Sequence, residues 1–209
     1  MCFGGFMIDV IEPKYFKTIP WKNGLGETTE LAINDGSSID CFDWRLSIAS
    51  VTNNGVFSDF TGYHRNLILI AGQGLTLKHD NGTCDKLVKL LDMASFDGAC
   101  ETFGELTTGD IKDFNIITNK QKIAPQVNCY VEATSISVKL APSALYFAYS
   151  LTGEINAVLN SQEKIIVPQG HLLKISPFED AANKHANNAT LKGENMILIQ
   201  LITREVVTL

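Results

Sequence analysis

Only three arginines occur in the 209 residues, Arg45, Arg65 and Arg204, against fourteen lysines. Two of them sit in apolar, β-branched stretches beside aromatic residues, Arg45 in "FDWRLSIAS" and Arg65 in "TGYHRNLILIA". A chain that uses lysine for ordinary solvated charge has a reason to place arginine there: the planar five-donor fork holds a carboxylate bidentately, which an ammonium does not. Either arginine could instead pair internally with Glu30, Asp43 or Asp59. Strand alternation puts Ser47 on the face of Arg45, with Trp44, Leu46 and Ile48 on the other. In "KDFNII" it puts Asp113 and Asn115 on one face and Phe114 and Ile116 on the other. Asp113 there either orients a cation or faces solvent at a strand start. The stretch "PWKNGLGETTEL" adds Trp21, Lys22 and Asn23 ahead of Thr28 and Glu30. Asn23-Gly24 is a hairpin signal because both positions tolerate positive φ. A turn alone does not require the tryptophan and lysine, and Thr28 and Glu30 look out together into solvent or a polar cavity.

Other chemistries find less support. His64, His79, His171 and His185 are too scattered for the paired imidazoles of a chelate, so a metal-free protein without a cofactor is expected. Gly24-Leu25-Gly26 is followed by neither a Lys-Ser/Thr pair nor a helix, which argues against a phosphate cradle. Cys41 has no histidine neighbour in sequence to activate it, so no catalytic residue is assigned.

The elements that would position these side chains are strands. Short apolar and β-branched runs are broken by glycine, asparagine and proline, and no long run repeats at helical spacing. Strands are predicted over Thr28 to Ile33, Asp43 to Val51, Arg65 to Ala71, Leu75 to His79, Lys86 to Leu91, Phe114 to Thr118, Val127 to Ala133, Ala144 to Leu151, Lys164 to Val167, Leu172 to Ser176 and Met196 to Ile202. So many strands require a sandwich or barrel. "DAANKHANN", Asp180 to Asn188, reads as a polar loop. "LIAGQGLTL" and "SLTGEINAV" echo each other as strand, glycine turn and strand, suggesting two copies of one β unit. The strand pattern is interrupted near Lys120 to Gln126, which places an N-terminal unit over 1–122 with the ligand site and a C-terminal unit over 123–209.

Composition narrows the partners. A formal net charge of -6 with 19% charged residues leaves no broad basic face for nucleic acid or an anionic membrane. No apolar run reaches the roughly 20 residues that span a bilayer. The start lacks a basic leader and long apolar stretch, and five scattered cysteines without a CxxC suit a reducing compartment, so a cytoplasmic location is expected.

Taken in order, Trp21-Lys22-Asn23-Gly24 with Gly26, Thr28 and Glu30; Phe42-Asp43-Trp44-Arg45 with Ser47 and Ala49; Gly55, Phe57-Ser58, Phe60 and Gly62; Arg65, Gly72 and Gly74; and Asp113-Phe114-Asn115 resemble the HutD/Ves family. Val56, Thr61, Ala99, Ile117, Asn119 and Lys120 depart from its usual pattern. Pro168-x-Gly170 opening a strand is similarly a common feature of cupin barrels. The resemblance implies an all-β bicupin, two jelly-roll units of the RmlC-like cupin type in one compact chain, with homo-oligomers possible. It implies binding of a small acidic metabolite such as N-formylglutamate, in a regulatory role in histidine utilisation. Trp21, Lys22, Asn23, Thr28, Glu30, Trp44, Arg45, Ser47, Arg65, Asp113 and Asn115 form the expected ligand site. The alternative is a metal-free cupin enzyme, an isomerase or deformylase, working on the same kind of acid through Lys22, Glu30 and Asp113.

Overall fold

The computed structural model describes residues 2–3, 5–21, 26–160, 164–177 and 187–204. Among these residues twenty strands are formed: β1 (Cys2–Phe3), β2 (Phe6–Ile11), β3 (Lys17–Pro20), β4 (Gly26–Ile33), β5 (Trp44–Val51), β6 (Gly55–Val56), β7 (Tyr63–Ala71), β8 (Leu75–His79), β9 (Cys84–Leu87) and β10 (Met93–Asp97) in the first half. The second half supplies β11 (Thr102–Leu106), β12 (Ile111–Asn119), β13 (Ile123–Tyr130), β14 (Thr134–Leu140), β15 (Ala144–Ser150), β16 (Ile155–Leu159), β17 (Lys164–Val167), β18 (Leu172–Pro177), β19 (Asn187–Gly193) and β20 (Met196–Thr203). Among the described residues the helical content is a single 3-10 turn, Pro13–Tyr15, and no helix is long and apolar enough to cross a membrane. The polar stretch from Asp180 lies outside the described residues up to position 186, and its last two residues, Asn187 and Asn188, open β19.

The chain divides into two compact units, one of Phe16–Ile123 with Arg204–Leu209, the other of Met1–Tyr15 with Ala124–Thr203. One division between the units falls between Ile123 and Ala124. The first fifteen residues, however, cluster with the C-terminal half, because β2 adds to the edge of β18 in antiparallel register, Ile8 opposite Ile175. A linear boundary at 122/123 cannot represent that strand addition.

In the Phe16–Ile123 unit a six-stranded sheet, ordered β10-β7-β12-β5-β4-β3, lies over a four-stranded sheet, ordered β6-β11-β8-β9. Leu67, Leu69, Ala94 and Ile111 from the larger sheet pack with Leu75, Leu77 and Leu87 from the smaller one. Each of these seven is almost fully removed from water, and burying each of the leucine and isoleucine side chains contributes about 1.5–3 kcal/mol. The other unit repeats the plan, with sheets β1-β2-β18-β15-β20-β13 and β14-β19-β16-β17. Its core includes Tyr146, Leu173 and Ile175 from the first and Ile155, Ala157 and Leu191 from the second. Each unit is thus a pair of facing antiparallel sheets.

One register detail corrects the sequence-based faces. Between β4 and β5, Glu30 opposes Ser47 but Ala32 opposes Leu46, so Leu31 is the extra residue of a β-bulge. Beyond it the alternation reverses: Ile33, not Ala32, falls in line with Arg45. Thr28 and Glu30, ahead of the bulge, keep the face predicted for them.

Candidate functional site

The inner face of the six-stranded sheet is read most simply in rows across its strands. Arg45 on β5 opposes Ile117 on β12, which opposes Arg65 on β7, which opposes Phe96 on β10. The next row runs Glu30, Ser47, Asn115, Leu67, and the next Thr28, Ala49, Asp113, Leu69. With strands about 4.8 Å apart, the two arginines stand roughly 10 Å from each other across Ile117. Deeper rows are apolar and belong to the core. The polar rows open into a cavity of about 800 Å³ that lies wholly within the Phe16–Ile123 unit.

Arg65 is 4% exposed, and its guanidinium carbon lies 5.2 to 5.5 Å from the ring centres of Phe57, Phe60 and Phe96. A desolvated cation among three rings is held by their negative faces. Its Nη2 donates to Asn115 Oδ1 at 2.9 Å, and Nη1 reaches the Ser58 carbonyl at 3.4 Å. Asn115 Nδ2 in turn donates to Asp113 Oδ1. Asp113 is completely buried, and neither its Oδ2 nor Arg65 Nε has a hydrogen-bond partner among the described residues. Burial pushes the Asp113 carboxyl up to about 7, against the pull of Arg65 and the Asn115 hydrogen bond. Burial likewise lowers Arg65, to about 10, with Asp113 opposing the shift. Asp113 therefore does orient an arginine, through Asn115.

The rest of the wall is built separately. Arg45 Nε donates to Glu30 Oε2 at 2.8 Å, with both side chains largely buried. Trp21 Nε1 donates to Thr28 Oγ1 at 2.8 Å, fixing the indole along β4. Gly26 permits this: a Cβ there would stand 2.2 Å from the Ser50 carbonyl oxygen and 3.0 Å from the Trp21 ring.

The segment from Gly55 to Gly62 carries Phe57, Ser58 and Phe60 to Arg65, and two glycines, Gly104 on β11 and Gly98 in the turn after β10, make room for it. A Cβ on Gly104 would lie 2.3 Å from the Phe57 ring, and one on Gly98 would lie 2.4 Å from the Phe60 carbonyl oxygen. Within the segment Asp59 Oδ1 accepts from the Thr61 amide and hydroxyl, both at 2.8 Å, so Thr61 closes the turn. Gly104→Ala is expected to force Phe57 off Arg65 and to destabilise the unit by about 1–3 kcal/mol, as overpacking does. Chemical denaturation measures it; an unchanged midpoint would show that Phe57 has room to move.

Of the predicted site residues, Trp21, Thr28, Glu30, Arg45, Ser47, Arg65 and Asn115 line the cavity. Asp113 stands behind Asn115. Trp44 is buried on the opposite face of β5, as the alternation that sets Arg45 inward requires, and does not line the cavity. Lys22 and Asn23 lie outside the described residues. Sequence reasoning did not single out the lining residues Ile19, Pro20, Ile39 and Asp40. Phe57, Ser58 and Phe60 carry a signal in their spacing between Gly55 and Gly62 but are not placed in the expected ligand site.

The departures from the family pattern fall at different places. Ile117 and Val56 line the cavity, whereas Lys120 holds Asp97 with contacts of 2.7 and 2.9 Å, and the Ala99 amide donates to Asp97 Oδ1. Among the described residues no three His, Cys, Asp or Glu side chains gather as a metal site needs. His79 is held by Thr102 and Asp85, His64 by Ser95, and His171 by the Gln169 carbonyl, while His185 lies outside the described residues. Cys41, Cys84, Cys100 and Cys129 are free, and burial pushes the Cys129 thiol up to about 12.

Facing antiparallel sheets around an arginine-bearing cavity define an all-β protein built of double-sheet units. The HutD family model matches residues 14–197, and the chain belongs to that family. It is 32% identical over 149 residues to a 21.2 kDa protein from the hutC 3′ region of Pseudomonas putida, covering 71% of this chain and 77% of that one. It is 36% identical over 99 residues to protein Ves of Escherichia fergusonii, 47% of this chain and 51% of Ves. Among solved structures it superposes on HutD from Pseudomonas fluorescens SBW25 with a TM-score of 0.78 and 27% identity, over 95% of this chain and 100% of that one.

Proposed function

We propose that the protein is a metal-independent bicupin that binds a small acidic metabolite in the cavity of its Phe16–Ile123 unit and acts as a regulatory component of histidine utilisation. The observation that carries this reading is the Arg65–Asn115–Asp113 chain. It presents a desolvated, pre-oriented guanidinium at the floor of a ligand-sized cavity, with Arg45 two strands away. A low-dielectric floor strengthens a cation's hold on a carboxylate, and a fork already locked by Asn115 and three rings loses little freedom on binding. The family's association with histidine utilisation supports N-formylglutamate as the first acid to test. Binding rather than proton transfer is favoured because Glu30, the carboxylate beside the buried floor, is engaged by Arg45, Asp40 and Asp59 line the cavity only from exposed positions, and Asp113 does not line it.

N-formylglutamate at about 100 times its dissociation constant is expected to stabilise the fold by roughly 2.7 kcal/mol, a rise in Tm of about 5–10 °C for a chain of this size. Formate release, followed in the same samples, is expected to stay at the rate of the protein-free control. Sustained turnover that disappears in Glu30→Gln would establish the enzyme instead, and the absence of any shift with small carboxylic acids would remove the binding reading.

A further inference from the structure

The cavity has two unlike ends. Arg65, Asn115, Arg45 and Ser47 form a buried polar floor, whereas Ile19, Pro20, Ile39 and Val56 line the mouth. The three aliphatic side chains there are left strongly exposed, Ile19 at 58%, Ile39 at 53% and Val56 at 64%. Single exposed aliphatics need no explanation, but several around the mouth of one cavity mark a surface that something covers. Ile19 opposes Thr28 in the β3–β4 ladder and so shares the face that looks into the cavity. Ile39 sits at the tip of a tight turn whose ends, Ser38 and Cys41, exchange both backbone hydrogen bonds. Such tips ordinarily carry Gly, Asn, Asp or Ser, and nothing in turn geometry asks for a β-branched apolar residue.

Size and charge point the same way. A volume of about 800 Å³ lies in the upper part of the range, about 300–1,000 Å³, of pockets that enclose drug-sized ligands. A compact diacid on the floor would leave most of it to water. Charge fixes the orientation: Asp40 and Asp59 stand among the lining residues in exposed positions and repel a carboxylate at the mouth, while the arginines attract it to the floor.

We infer that the acid taken by this cavity is amphipathic, with its carboxylate end on the Arg65 floor and an alkyl or aryl group against Ile19, Pro20, Ile39 and Val56. The inference rests on the reading of the cavity as a carboxylate site and names the class of acid that fills it. Calorimetric titration of the full chain with N-formyl-, N-butanoyl-, N-hexanoyl- and N-octanoyl-glutamate tests it, since the head is constant and only the tail grows. Affinity is expected to rise about two- to fourfold for each added methylene until the tail covers the rim. The rise should flatten in an Ile19→Ser/Ile39→Ser double variant, whose two changes are at exposed positions that leave the core untouched. Equal affinity for all four acids overturns the amphipathic class and leaves the carboxylate site standing. A rise that persists undiminished in the double variant also overturns it, because the tail then lies elsewhere. Binding of none of the four removes the carboxylate site and the inference together.

Discussion

Replacing Asp113 with asparagine is expected to abolish a loss of stability, about 4 kcal/mol in size, that the unsubstituted protein undergoes between roughly pH 4 and pH 7. The sign follows from burial. Asp113 titrates near 4 in the unfolded chain but is pushed up to about 7 in the fold, so over that interval the folded state holds its proton and the unfolded state does not. Raising the pH draws protons off the unfolded chain alone and favours unfolding. Above about 7 both states are ionised and the contribution levels off. Asparagine has no proton to lose, still accepts from Asn115 Nδ2 through its oxygen, and places its amide where Asp113 Oδ2 has no described partner. Urea unfolding of both proteins at pH 4.5, 6 and 8 reads the difference directly, with the variant gaining on the parent at each step. Parallel profiles would mean that Asp113 is ionised throughout the range and compensated by Arg65.

The fold and part of this site are legible in the sequence for identifiable reasons. Strands β7 and β15 carry long apolar runs, so their existence follows from residue type alone. β10 and β11 each place two inward residues among polar ones, Ala94 with Phe96 and Thr102 with Gly104, too weak a pattern to single out. β2 is not legible as part of the other unit because its pairing with β18 joins residues 161 (Leu172 with Ile11) to 171 (Pro177 with Phe6) positions apart, and no local pattern records it. Asn115 and Asp113 share a face by simple alternation, and Arg45 was found because arginine is scarce. The aromatic box around Arg65 was not, since Phe57, Phe60 and Phe96 come from a loop and a separate strand, and only the tertiary fold converges them. The Leu31 bulge is equally silent: one extra residue changes which side chains follow Glu30 without any change in composition.

Arg65→Met is expected to fold, at a cost of about 1–3 kcal/mol for the Asn115 Oδ1 it leaves without a donor, and to lose nearly all of the thermal shift given by acidic ligands. Methionine is unbranched and polarizable, so it fills the space between Phe57, Phe60 and Phe96 with favourable sulfur–ring contacts. Replacing a buried charge by a well-packed apolar side chain is often neutral or stabilising, because the desolvation of the ion is no longer required. Asp113, relieved of its neighbouring cation, simply keeps its proton to higher pH. Binding has no such compensation: removing a desolvated arginine from a carboxylate costs about 2–5 kcal/mol, enough to erase a shift of roughly 2.7 kcal/mol. Arg65→Lys keeps the buried charge and is expected to lose stability as well. An ammonium cannot serve both Asn115 Oδ1 and the Ser58 carbonyl from a planar fork, and burial works against its charge, so about 1–3 kcal/mol is lost for each acceptor left bare. Arg204→Lys, on a residue that does not line the cavity, should retain both stability and shift. Thermal melts of the three variants with and without N-formylglutamate and hexanoate decide the matter: an Arg65→Met protein that keeps the full ligand shift would show that Arg65 only props the cavity wall and that the carboxylate is held elsewhere.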